Sequence, residues 1–217
     1  MRPRVLVNCA MSADGKIALP NRKQMKISSE EDMMRVHVLR NEVDAILVGI
    51  GTVLNDDPKL TVKQQYVDEL HHPVRVVLDV QIQTPVDAAV VNKTAPTLLF
   101  ISKDDSEQKK YGSNVELIPS PLSEEGKIDI HYVLEELGSR GVESLLVEGG
   151  SEVIWSFLNA GLVDEMTIYV GPIVIGGNKT PTPAGGTGAK TESDCIPLRL
   201  KSVHRVGDGV LLGYVKR

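Results

Sequence analysis

The stretch "LLVEGGSEVIWSFLNAGLVDE" at 145–165 sets a carboxylate and two glycines where an apolar run gives way to a helical pattern. Glycine adopts φ > 0 without strain and admits a ligand where a Cβ would stand in the way. A helix starting near Ser151 or Glu152 offers unpaired N–H groups and a positive dipole end, which suits a pyrophosphate. Gly149, Gly150, Ser151, Glu152 and Val153 therefore form a candidate anion cradle. Ser151 also reads as a helix cap, a role compatible with anion binding. Glu148 closes the apolar run at the carboxyl end of a strand, where open α/β sheets bind ligands. A partly buried acid in that place needs a partner, so Glu148 is a candidate for binding and for catalysis.

A second glycine turn lies in "VGIGTVLNDDPKLTV" at 48–62. Gly49-x-Gly51 follows a strand, but Leu54 stands at the third glycine position of a dinucleotide fingerprint. A plain strand-to-helix turn explains the pair as well as a ligand does. Thr52 brings a hydroxyl to the first turn of a short helix with free amides. Asp56-Asp57-Pro58 stops that helix. The two acids are a solvated turn, or they bind ribose hydroxyls or a substrate amine. Asp57 joins Glu148 as a candidate acid for the chemistry. His37, His71, His72, His131 and His204 fall in no marked motif and read as helix-surface, loop or strand-edge residues.

Alternating strand-like and helix-like runs must position these groups. Strands are expected at "RVLVNCAMS" (4–12), "DAILVGIG", "VRVVLDV" (74–80), "TLLFIS" (97–102), "ESLLVEGG" and "EMTIYVGPIVIGG". Ser28 with Glu31 fits a capping box that opens an amphipathic helix over "SEEDMMRVHVLRNEV", with Met33, Val36, Leu39 and Val43 on its apolar face. Further helices are expected from about Ile130 to Leu137 and over "EVIWSFLNAG", each stopped by glycine. "PLRLKSVHRV" and "GVLLGYVKR" predict a hairpin around Gly207-Asp208-Gly209. The pattern predicts a single α/β domain over 1–217, a mostly parallel sheet flanked by helices, with a C-terminal antiparallel edge hairpin. The loop at 176–190, "GGNKTPTPAGGTGAK", is too long for a mere connection.

The bulk numbers fit one core. The 217 residues are 41% hydrophobic and 24% charged, with 4% aromatics, so aliphatic packing must carry the interior. A formal net charge of −5 argues against a nucleic-acid or acidic-membrane binder. No apolar run approaches the roughly 18 residues of a membrane span, and the expected location is cytoplasmic. The two cysteines, Cys9 and Cys195, lack CxxC spacing and read as reduced thiols; no metal site is expected.

The segments "SADGKIA" (12–18), "ISSEEDMMRVHVLRNEVDAILVGIGTVLNDDPKLTV" (27–62), "RVVLD" (75–79), "LLVEGGSEV" (145–153) and "GLVDEMTIYVGPIVIGG" (161–177) together carry a resemblance. The chain resembles the riboflavin-pathway reductases of archaea and fungi that act on 2,5-diamino-6-(ribosylamino)-4(3H)-pyrimidinone 5′-phosphate. The same domain forms the reductase half of bacterial bifunctional riboflavin proteins. The resemblance implies a dihydrofolate-reductase-like fold, NADPH as cofactor (NADH the alternative), a homodimer, and a small phosphorylated ribosylaminopyrimidine as substrate. By it, Thr52, Asp56 and the stretch Asp79-Val80-Gln81 contact the cofactor, and Gly149 to Val153 hold its pyrophosphate. Lys103 stands where related folds hold the 2′-phosphate. Leu60, Lys63, Lys26 in "QMKIS" (24–28), and Glu148 face the substrate, with Asn8 and Asp14 lining the same cleft. Asp14 also reads plainly as an Asp-Gly turn. The implied reaction opens the ribosylamine to an imine and adds hydride at C1′, giving a ribitylamine.

Two other readings stay open. A pterin-reducing, dihydrofolate-reductase-like enzyme needs a buried acid on the first helix, where Glu30, Glu31 and Asp32 sit at an exposed start. A non-catalytic nucleotide-binding regulator would keep the diglycine turn but has no need of Glu148, Asp56 and Lys63 together. A zinc deaminase is excluded, because the chain has no CxxC.

Overall fold

The computed structural model describes residues 1–23, 25–102 and 110–217. Among the described residues, hydrogen bonding orders nine strands as β5-β4-β3-β2-β6-β1-β7-β9-β8. The α/β class expected from sequence holds: the sheet is mostly parallel and closes on antiparallel C-terminal strands. The chain packs as two compact units, Met1–Arg4 with His37–Leu146, and Val5–Val36 with Val147–Arg217.

The first unit carries β2 (Ala45–Gly49), β3 (Val74–Leu78), β4 (Thr97–Ser102) and β5 (Val115–Ser120), all paired in parallel. Such strands are covered on both faces and read as unbroken apolar runs, and Ala45 to Gly49 are all buried. Sequence reading missed β5, because Pro119 and Glu116 break its pattern. The helices here are α2 (Ile50–Asp56) and α3 (Ile130–Ser139). Asp129 caps α3 by accepting from the His131 amide. Arg75 is fully buried in β3. Its guanidinium donates to the carbonyls of Ala89, Asn92 and Ala95 and to Asn92 Oδ1, tying down the segment before β4. Burial pushes its pKa down to about 10.

The second unit carries β1 (Arg4–Ser12) from Val5 onward, β7 (Glu165–Gly171), β8 (Leu198–Val206) and β9 (Gly209–Lys216). β1 pairs β7 in parallel; β9 pairs β7 and β8 antiparallel. The predicted hairpin turns at Gly207, φ +57°. β7 thus lies between β1 and β9, with Met166 and Tyr169 buried. β6 (Ser144–Gly149) leads into α4 (Ser151–Asn159), and the chain leaves the helix through Ala160 and Gly161, the latter at φ +65°. α1 (Glu30–Glu42) begins one residue later than its capping box predicts. Ser29, not Ser28, is the cap, its Oγ accepting from the Asp32 amide at 3.2 Å.

The long loop at 176–190 is fixed, not loose. Asp14 Oδ1 and Oδ2 accept from the amides of Ile175 and Gly176 at 3.0 and 2.7 Å. The Ile17 amide donates to Pro181 at 3.0 Å. Further on, the Gly185 amide donates to the Ser151 carbonyl and the Gly186 amide to Glu152 Oε1, both at 3.0 Å. Gly186 lies against the Trp155 ring so closely that a Cβ would overlap it. Among the described residues, no helix is long and apolar enough to cross a membrane.

Candidate active site

In the second unit, β6 delivers half-buried Glu148 and then turns sharply. Gly149 has φ +131°, where L side chains are rare, and a cis peptide bond joins it to Gly150. Gly150, not Ser151, is the N-cap of α4, and no side chain caps the helix. The Ser151, Glu152 and Val153 amides therefore have no partner within the helix. Ser151 and Val153 are half-buried, Glu152 exposed. Glu152 turns its carboxylate to Gly186 in the long loop.

Asn8 is buried in β1 beside Thr167 of β7. Its Oδ1 accepts from Arg35 Nη2 at 2.8 Å and Thr167 Oγ1 at 2.9 Å. Arg35 Nε and Nη2 each lie 2.8 Å from Asp32 Oδ1. Asp32 is fully buried, which corrects the expectation of an exposed acid at the start of α1. Cys9, next to Asn8, has its thiol pushed up to about 12, chiefly by burial; the Arg35 charge lowers it and the Asp32 charge adds to the rise. Both cysteines are unpaired thiols. Lys26 is exposed, on a segment pinned where the Ile27 backbone packs against Gly171. Asp14 is the anchor of the long loop rather than a bare turn. The Ser12 hydroxyl, then the Ile175 and Gly176 amides, hold its carboxyl down to about 2.

In the first unit, Gly49 is the N-cap of α2 and also lacks a side-chain cap. Thr52 is half-buried in its first turn, and Asp56 is half-buried at its last residue. Asp57 is exposed at φ +41° and its Oδ1 accepts from the Ala89 amide at 2.7 Å. That bond stabilises the turn. Leu60 is buried with φ +51°, so its backbone rather than its side chain is what a ligand could meet. Lys63 is exposed, its Nζ 6.0 Å from the Tyr66 ring.

Asp79 is fully buried, and its carboxylate is saturated within its own turn. Oδ1 accepts from the Gln83 amide and Oδ2 from the Thr84 amide, each at 2.8 Å, and Oδ2 also from the Thr84 hydroxyl at 2.7 Å. It shapes the turn that presents half-buried Val80 and exposed Gln81, and leaves the backbone for ligand contact. Ile82 in this turn holds φ +52°, a conformation a β-branched side chain rarely takes. Tyr111 donates to the Thr84 carbonyl at 2.7 Å. Burial, then the Asp79 charge, push its phenol up to about 12. Lys103 and Gln24 lie outside the described residues.

Two histidines that sequence reading set aside clamp the segment after α2. His37 is buried, not on a helix surface; it stacks on Tyr66 at 5.0 Å, and its Nδ1 accepts from the Lys63 amide at 3.3 Å. His72 Nδ1 accepts from the Val62 amide at 3.3 Å. Burial, then the charges of Arg75 and His71, hold the His72 pKa below its usual value. Only the H-P step after His72 marked this in sequence. Among the described residues no group of three or more His, Cys, Asp or Glu could hold a metal ion.

A strand-end acid, a diglycine turn and a helix start without a side-chain cap, set on a mostly parallel sheet, define an α/β fold with a candidate anion site, and the model of the RibD C-terminal domain matches residues 3–212. The chain belongs to that family. It is 39% identical to the 2,5-diamino-6-ribosylamino-4(3H)-pyrimidinone 5′-phosphate reductase of Methanothermobacter thermautotrophicus, over 99% of this chain and 98% of that protein. To the reductase of the same description from Archaeoglobus fulgidus it is 42% identical, over 96% of each. It superposes on a Thermotoga maritima diaminohydroxyphosphoribosylaminopyrimidine deaminase/5-amino-6-(5-phosphoribosylamino)uracil reductase with TM-score 0.83 and 28% identity, covering 100% of this chain and 57% of that one. These relatives are reductases, and the chain is an oxidoreductase of their family.

Proposed function

We propose that the chain reduces the ribosylamino group of 2,5-diamino-6-(ribosylamino)-4(3H)-pyrimidinone 5′-phosphate to the ribitylamine in riboflavin biosynthesis, with NADPH as reductant. The observation that carries this reading is half-buried Glu148 followed at once by the uncapped start of α4. The full-length similarity to two archaeal reductases of that description supports the substrate. The diglycine turn fits a dinucleotide: the first-turn amides of α4, which no side chain caps, suit its pyrophosphate, and Gly150 puts no side chain in front of them. Thr52, Asp56 and the Val80-Gln81 backbone would complete the cofactor's contacts, with Lys103 favouring the 2′-phosphate form. When bound, the cofactor supplies a hydride.

The chain's own groups bind and orient. Glu148 accepts hydrogen bonds from the amino groups of the pyrimidine or from the sugar chain. Lys63 and Lys26 neutralise the substrate phosphate as point charges. Asn8 faces the pyrimidine or the opened sugar, and Leu60 presents its backbone. Glu148 and Asp57 are the candidates for protonation near the reacting nitrogen, and Asp57 already accepts one hydrogen bond, from the Ala89 amide. A homodimer belongs to the same reading, and sedimentation equilibrium tests it.

Buried Asp32 meets one expectation of a pterin reductase, but its Oδ1 is paired with Arg35, and the relatives above favour the ribosylaminopyrimidine. The deciding experiment follows NADPH oxidation by the purified protein with the diaminopyrimidine phosphate and, separately, with dihydrofolate. Turnover of the first alone is expected. Cofactor binding with turnover of neither substrate would favour a regulator.

A further inference from the structure

The Asn8 amide is oriented from two sides. Arg35 Nη2 and Thr167 Oγ1 both reach its Oδ1, at 2.8 and 2.9 Å. A guanidinium can only donate, so the oxygen of the amide must be the atom that faces it. The Nδ2 group is thereby turned away from both, and it donates to no protein group among the described residues. Arg35 in turn cannot swing aside, since Nε and Nη2 are held on the buried Asp32 carboxylate. The four residues of the array, Asn8, Asp32, Arg35 and Thr167, all belong to the second unit, on β1, the first part of α1, and β7.

We infer that the Asp32–Arg35 pair is a positioning device that fixes Asn8 as a hydrogen-bond donor to a neutral acceptor oxygen of the substrate, on the pyrimidinone or the sugar chain. The inference rests on Asn8 facing the substrate, as proposed above, and deepens it. The pair is internally neutral, so its field at Nδ2 is too weak to select an anion. The phosphate is left to the lysines. The Arg35 bond withdraws density from the amide oxygen and strengthens the Nδ2–H donors, as linked hydrogen bonds do. Without the pair, the amide could turn over and present an acceptor to an acceptor. A site built on a donor rejects a ligand that cannot use it, because the group is then left unpaired.

The test is Asn8→Asp. Its carboxylate keeps one oxygen for Arg35 and Thr167 and puts a second acceptor where the NH2 stood. Substrate KM should rise by about tenfold or more, with NADPH affinity within about twofold of wild type and no fall in Tm. Arg35→Met should raise KM less than Asn8→Asp does, and add nothing to it in the double variant. Arg35→Lys, which keeps a donor, should restore much of the loss. Because Arg35→Met strands the Asp32 charge and could impair folding, Asn8→Asp remains the primary measurement. Unchanged substrate KM in Asn8→Asp, with the wild type turning over, would overturn the inference. So would a parallel loss of NADPH affinity. Absence of turnover in the wild type would instead overturn the functional reading beneath it.

Discussion

Glu148 and Gly150 are separated by one residue and are assigned to different ligands, so their variants should part company. Glu148→Gln keeps the shape but halves the acceptor capacity and removes the charge. Substrate kcat/KM is expected to fall about tenfold to a hundredfold, with NADPH affinity held, as isothermal titration would show. Gly150→Val places a branched side chain before the amides of α4, and NADPH binding should weaken at least about tenfold. If the two patterns were exchanged, the assignment of acid and turn would be wrong. Arg75 belongs to stability alone. Arg75→Met takes the guanidinium donor from the carbonyls of Ala89, Asn92 and Ala95, leaving Asn114 Nδ2 on the latter two, and urea unfolding should show a loss of about 3 kcal/mol or more. The strand was plain in "VRVVL", but nothing in five letters shows which loop carbonyls its arginine will meet. Glu148 and the glycines were legible because their chemistry is local, a strand end and a helix start in consecutive residues. The bond from Ala89 to Asp57 joins positions 32 apart, which is why the part Asp57 plays in this turn was not legible in sequence.

Helix α1 shows where element-level patterns mislead. Its buried stripe includes Asp32 and His37 as well as Val36, so the apolar periodicity places the helix but hides its two polar contacts. His37 and His72 act by accepting from backbone amides of the segment that follows α2, a role that needs them neutral. The folded chain holds the His72 pKa below 6.5. The unfolded chain therefore takes up the proton first as pH falls, and stability is expected to drop below about pH 6.5 and stay level above it on this account. His72→Asn, which keeps an acceptor and cannot titrate, should flatten that slope in urea melts run from pH 5 to 7.5. The loop at 176–190 was legible as too long to be idle, and its anchors were not. They are ordinary residues, Asp14, Ile17, Glu152 and Trp155, that touch it through space. Gly186→Val must displace Trp155. It should lower stability by about 1–3 kcal/mol and speed proteolysis within the loop, both measurable on the purified variant.

At the scale of the whole chain, the fold class was legible because alternating strand and helix patterns leave few topologies, and a closing glycine turn marks a hairpin. The division into two units was not, because each unit takes segments far apart in the sequence. The second unit brings residues 5–36 together with 147–217. Its β1 is paired with β7, and the Val5 amide rests on an aspartate 159 positions further along. Such distant pairing closes late, and refolding from urea should be slow, on the scale of milliseconds to seconds, for a domain of this topology. Synthesis adds a delay of its own. A ribosome moving at about 5–20 residues per second makes β1 roughly 10–30 s before β7 leaves the exit tunnel. For that interval "VLVNCAM" is a naked β-prone tape, and the nascent polypeptide is a natural client for a holding chaperone. Ribosome-bound chains stalled before residue 165 should cross-link to such a chaperone through β1, and chains stalled after β7 has emerged should let it go.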